Sequence, residues 1–314
     1  MDKKRVFVYL LFTFGIGYAA QFGLLFTGMI AYKTPTVFHT LLLAALMWIP
    51  ALGALAASLL CPDPKRPMPK IWPLPAGPAL WLVVAVPLLF VLNYALSSLC
   101  GFVGPQWGLS TLMGQFSPAS LDQLPPNVMP ILPGVLMALG IPLSILLGAT
   151  VVAAAALGSE LGWRGYLLPR LAGKNRVAVH ISMGLLWGLW FMPVVVWWFR
   201  IRNDYEGIIP TVICLLGMAI VLGAALNEVV LRTGHLGLAA LALGLFISQT
   251  KPELAFWPYL FPTAELPWSG AFSVFAIALW LFAATFPFVL IGKAAWGPML
   301  PPPAEGKNDK ATST

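Results

Sequence analysis

The chain has 314 residues, of which 59% are hydrophobic and 9% charged, and 18 basic against 11 acidic side chains give it a net charge of +7. A soluble domain carries roughly a quarter of its residues as Asp, Glu, Lys or Arg, so this composition excludes a water-soluble fold and makes lipid the solvent for most of the surface. The positive charge does not mark a nucleic-acid binder, because the basic residues gather at the ends of apolar runs and form no stripe among aromatics.

A membrane crossing takes about 20 predominantly apolar residues. Eight such segments follow one another: 6–32, 37–60, 79–103, 130–157, 177–198, 207–230, 235–250 and 269–296. The expected fold is all-α, a polytopic transmembrane helix bundle of about eight spans. The first segment follows Met-Asp-Lys-Lys-Arg, is too long for a signal-peptide core and lacks a small-x-small cleavage site, so it reads as a retained helix. The breaks are Lys33-Thr34-Pro35, the proline-rich stretch 62–78, the loop 104–130, then 200–206 and 251–268. Only Leu231 to Gly234 separate the sixth and seventh segments, which fits a tight helical hairpin. Residues 1–297 form one transmembrane domain, and the polar tail 298–314 has the composition of a disordered segment.

Basic residues favour the cytoplasmic side of a membrane. With both termini in the cytoplasm, only Lys33, Arg200, Arg202 and Lys251 of the 18 fall on the outer side. Trp72, Trp197, Trp198, Trp257, Tyr259, Trp268 and Trp296 sit near segment ends as interfacial anchors. Cys61, Cys100 and Cys214 lack metal-ligand spacing and read as small hydrophobes, so neither a metal nor another cofactor is expected.

Ionisable groups inside a span are costly and mark candidate sites. Glu160 and Arg164 lie four apart, on one face of a helix and in the favourable order for an ion pair. Glu228 and Arg232 repeat the spacing. From the residues alone, each pair either ends its helix at the cytoplasmic interface or belongs to a site.

The run Gly158-Ser159-Glu160-Leu161-Gly162-Trp163-Arg164-Gly165-Tyr166-Leu167-Leu168-Pro169-Arg170-Leu171 resembles the first motif of the CAAX prenyl protease and bacteriocin-processing family of intramembrane endopeptidases. Met47-Trp48-Ile49-Pro50-Ala51-Leu52, Trp187-Gly188-Leu189-Trp190-Phe191-Met192-Pro193 and Arg232-Thr233-Gly234 are similar to further landmarks of that family, in the same order. The resemblance covers about residues 40–250 and implies an eight-helix fold in a bacterial plasma membrane.

The resemblance also implies where catalysis would reside. The family uses a glutamate to activate water, a histidine from its second motif, and a histidine and asparagine from its third. Those four positions read Ser159, Phe191, Leu243 and Ile247, while the second motif glutamate and the arginine remain as Glu160 and Arg164. Serine offers no carboxylate as a base, and Phe, Leu and Ile offer no acid, base or metal ligand. His180 precedes Phe191 by eleven residues, roughly 16 Å along a helix, and His235 precedes Leu243 by eight, roughly 12 Å. Both read as interfacial or capping side chains, and His39 is remote from every motif. Ser159 lacks a neighbouring base for a nucleophilic role and reads as a helix-packing residue.

Three functions follow as expectations. The first is a degenerate family member that binds a transmembrane or lipidated protein client, in contact with membrane lipid. The second is an active endopeptidase rebuilt around Glu160, with Ser248 or Gln249 replacing lost amides. The third is a transporter, for which Gln21, Asn93, Asn227 and Glu228 are the scattered intramembrane polar residues.

Overall fold

The computed structural model describes residues 3–27, 37–62, 68–107, 113, 125, 127–171, 175–195, 208–250, 257–261, 270 and 272–290. The polar tail 298–314 and the segments that carry Lys33, Arg200, Arg202 and Lys251 lie outside them. The described residues are helical with no strand. Apolar runs without charge leave the backbone only its own carbonyls as partners, and in lipid a helix satisfies every one of them within a single segment.

The helices are α1 (Lys3–Phe26), α2 (Val37–Leu46), α3 (Ile49–Leu60), α4 (Ala76–Leu99), α5 (Leu132–Leu171), α6 (Arg176–Trp190), α7 (Ile208–Thr233), α8 (Leu236–Thr250), the short α9 (Trp257–Leu260) and α10 (Val274–Leu290). Among the described residues, five segments are long and apolar enough to cross a membrane: α1, the stretch Leu41–Leu60, α4, α5 and α7. α2 and α3 part at Met47 and Trp48, where Pro50 enters the first turn of α3 and its ring is tolerated. The fourth segment was expected to end at 157. Instead α5 runs 40 residues, through the whole motif, with π-helical turns at Gly148–Val152 and Leu161–Leu167. Such wide turns are rare and gather at functional sites.

Small residues let these helices approach closely, as helix association within lipid requires. A Cβ on Gly244 of α8 would lie 2.5 Å from the backbone nitrogen of Ala153 in α5. Gly158 meets Trp48, Gly162 meets Pro50, and Gly184 of α6 meets Ile220 of α7 just as tightly. Through these contacts α5 lies against both α3 and α8. α8 itself is buried at every position except Ile247 and Thr250. A helix apolar on all sides and 15 residues long is the central post of the bundle, shorter than a full crossing.

The hairpin between the sixth and seventh segments is present. Gly234 takes φ 66°, the left-handed conformation that ends a helix, and donates to Val230 O at 2.8 Å. The segment ahead of α4 crosses this turn: Lys70 N donates to Gly234 O at 2.9 Å and Leu236 N to Lys70 O at 2.7 Å. Both bonds tie the base of α4 to the start of α8.

Candidate functional site

The motif places its two charges inside the protein. Glu160 is the last residue before the π turn of α5, and residues 162–168 behind it are all buried. Glu160 is 0% and Arg164 1% exposed. Arg164 Nη1 donates to Glu160 Oε1 at 2.8 Å, which confirms the pair. The pair does not end its helix; it sits against α7. Arg164 Nε donates to Asn227 Oδ1 at 3.0 Å, and its guanidinium lies 4.9 Å from the centre of the Trp187 ring. Gly223 faces the guanidinium on α7, and Gly184 lies against the same glycine from α6. A larger residue at 223 would compete with Arg164 for that space.

The network extends beyond Asn227. Its Nδ2 lies 3.2 Å from His180 Nδ1, and His180 Nε2 lies 2.9 Å from Glu228 Oε1. Glu228 also accepts from Arg232 Nε at 2.8 Å and from both Nε and Nη2 of Arg176. Four donors fill the acceptor capacity of a carboxylate. Glu160, Arg164, Asn227, His180, Glu228, Arg176 and Arg232 therefore form one continuous polar chain, from the core of α5 through α7 to the start of α6. Asn175 fixes that start as an N-cap, accepting from Ala178 N at 3.2 Å.

Of Ser159, Phe191, Leu243 and Ile247, the last three belong to the apolar side of the bundle. Ser159 is buried at 3% exposure beside Glu160. Phe191 caps α6 and packs edge-on to Trp187 and Trp190. Leu243 is buried in α8, and Phe191, Leu243 and Ile247 join one contiguous hydrophobic cluster. Ser248 and Gln249 are engaged elsewhere. Ser248 Oγ donates to Leu245 O, while the Gln249 amide donates to Ser144 Oγ at 3.0 Å and accepts from Trp257 Nε1 at 2.7 Å. Among the described residues, no group of three or more His, Cys, Asp and Glu is placed to hold a metal. An apolar crevice between α4, α7, α8 and α10 is lined by Trp81, Val86, Leu226, Val229, Ala242 and Trp280. Ala242 and Gly244 are about 200° apart around α8, so the crevice opens away from the motif.

The family model for type II CAAX prenyl endopeptidase Rce1-like proteins matches residues 141–248. That stretch is similar to an Rce1-like domain. It runs from α5 to Ser248 in α8 and holds Ser159, Glu160, Arg164, Phe191, Leu243 and Ile247, together with every member of the polar chain. Met47 to Leu52, part of the resemblance read from the sequence, precede the matched residues. No curated protein and no solved structure matched the chain.

The structure corrects one expectation about the histidines. His180 is not a capping side chain; it bridges Asn227 and Glu228. The local pattern of α6 gave no warning, since both partners are 47 or more residues away in sequence. A faint signal existed in α7, where Asn227 and Glu228 interrupt an otherwise apolar helix four residues before Arg232. The scattered polar residues of a transport path do not converge. Gln21 donates to Trp190 O, and Asn93 ties α4 to Gly270 and Ser273. His39 falls among residues whose side chains lie outside the description.

His235 sits in the turn between α7 and α8, 8% exposed, with no hydrogen-bond partner for Nδ1 among the described residues. Burial, and then the nearby Lys70 ammonium, hold its pKa below the ordinary histidine value. The unfolded chain takes up this proton near pH 6.5, whereas the folded chain takes it up only at lower pH. Stability is therefore full above about pH 6.5 and falls as the pH drops below it. The expected result is a thermal midpoint in detergent that decreases from pH 7 to pH 5, with a smaller decrease in His235→Gln. Equal decreases in both proteins would remove His235 as the cause.

Proposed function

We propose that this CAAX-protease-like membrane protein has given up hydrolysis and uses the retained scaffold to bind a transmembrane or lipidated protein client. The observation that carries the reading is the state of Glu160. Its carboxylate is wholly buried and tied to Arg164, which Asn227 and Trp187 hold in turn. The four positions that would surround a catalytic water in the family read Ser159, Phe191, Leu243 and Ile247. A water activated there would find one ion-paired carboxylate and three apolar walls. The retained pair then serves to fix α5 against α7. In this reading the bundle spans a bacterial plasma membrane eight times, with both termini in the cytoplasm, and the client lies alongside it in the lipid.

A second reading keeps hydrolysis and rests on one atom. Glu160 Oε2 has no hydrogen-bond partner among the described residues, which leaves half of the carboxylate for water. Cleavage of lipidated and transmembrane peptides by the purified protein separates the two. The proposal expects no cleavage above that of Glu160→Gln. Cleavage that vanishes in Glu160→Gln would establish the second reading and end the first.

A further inference from the structure

The two groups between the motif arginine and Glu228 have only one way to share their protons. A guanidinium donates and never accepts, so the Asn227 atom 3.0 Å from Arg164 Nε is the carbonyl oxygen. The amide nitrogen is then the atom 3.2 Å from His180 Nδ1. An amide nitrogen donates only, so Nδ1 accepts and carries no proton. The ring proton sits on Nε2 and is donated to Glu228 Oε1 at 2.9 Å. Which nitrogen of a histidine is protonated follows from the bond that the other one makes, and here that bond is set two residues away, by Arg164.

We infer that Asn227 and His180 are positioning residues for Arg164, linking it to Glu228 by a hydrogen-bond chain of one direction in which His180 is the neutral Nε2–H tautomer. Each link donates to the next: Arg164 to Asn227, Asn227 to His180, His180 to Glu228. The other charged groups around the ring do not compete for it. Arg176 from α6 and Arg232 from α7 bind the Glu228 carboxylate, and Glu160 lies on the far side of Arg164. Any change that turns the imidazole leaves Asn227 facing a donor, and the amide then withdraws its oxygen from Arg164. The buried motif pair thus responds to events at Glu228, beside the half-exposed Arg176. The assignment is independent of whether the site hydrolyses peptides.

The test is nitrogen NMR on the full-length protein in detergent, labelled with 15N-histidine. The chain has only three histidines, and His180→Gln identifies the resonances of interest. At neutral pH the wild type is expected to show an unprotonated Nδ1 and a protonated Nε2. Asn227→Asp turns the donor facing Nδ1 into an acceptor, and the ring is expected to gain a proton on Nδ1. Arg164→Lys keeps a donor-only group at that point, so the tautomer is expected to stay. A protonated Nδ1 in the wild type would overturn the assignment, and that spectrum requires no variant to fold. A His180 spectrum unchanged in folded Asn227→Asp would overturn it too, since residue 227 would then not set the ring.

Discussion

Arg164→Leu is expected to destabilise the protein by about 3–5 kcal/mol, the range for removing one partner of a buried ion pair. The substitution leaves the Glu160 carboxylate uncompensated at 0% exposure and takes the donor from Asn227 Oδ1. Glu160→Leu is expected to cost a similar amount by stranding the guanidinium. The double variant Glu160→Leu/Arg164→Leu should be far less damaged than the sum, because a buried pair replaced by apolar residues leaves no charge behind. It retains a smaller defect, about 1–3 kcal/mol, from the orphaned Asn227 oxygen. Reversible unfolding in mixed micelles reads all three proteins. Additive losses would show that Glu160 and Arg164 are not coupled.

Gly244→Val is expected to be among the most damaging of the glycine substitutions, at about 3 kcal/mol, the upper end of the usual cost of overpacking. The added Cβ meets backbone atoms of Gly148 and Ala153, which unlike a side-chain tip cannot swing aside. α8 is buried on every side, so it has no free direction in which to retreat. Gly77 offers the control: nothing lies within 4 Å of its Cβ position, and Gly77→Ala should leave the unfolding midpoint in place. A folded Gly244→Val protein with an unchanged midpoint would mean that α5 and α8 do not touch as closely as described.

Much of this architecture could be read from hydropathy because lipid imposes a simple rule: a segment that meets the bilayer must be apolar and helical. Most helical segments accordingly begin within a few residues of the apolar runs, and the hairpin at Gly234 follows from the short polar gap before His235. The pair Glu160–Arg164 was legible for a local reason, since a spacing of four puts two side chains on one helical face. The extension of α5 through the motif was not, because a π turn depends on which neighbours a helix meets and not on its own propensity. The links Arg164–Asn227, Asn227–His180 and His180–Glu228 were not legible either. They join three helices across 47 to 63 residues of sequence, and no spacing rule reaches that far. Arg176 reads in sequence as one more loop cation, yet in the fold it grips Glu228 with two nitrogens.

The proposed loss of hydrolysis is also a statement about particular atoms. Phe191 packs edge-on to two indoles and Leu243 is sealed in α8, so polar groups at these positions would have to be rebuilt into packed apolar surroundings. His180 is no substitute base, because both its nitrogens are committed, one to Asn227 and the other to Glu228. Ser248 and Gln249 are likewise committed to neighbours outside the motif.

The most direct measurement is the cleavage of a lipidated peptide library by the purified wild type beside the variant Ser159→Glu/Phe191→His/Leu243→His/Ile247→Asn, each checked for folding by its unfolding midpoint. A silent wild type and a folded variant that cleaves is the predicted result, and it would identify a protease scaffold emptied of its chemistry. A wild type that cleaves as well as the variant, with activity lost in Glu160→Gln, would contradict the account and make Glu160 the working base of an active enzyme.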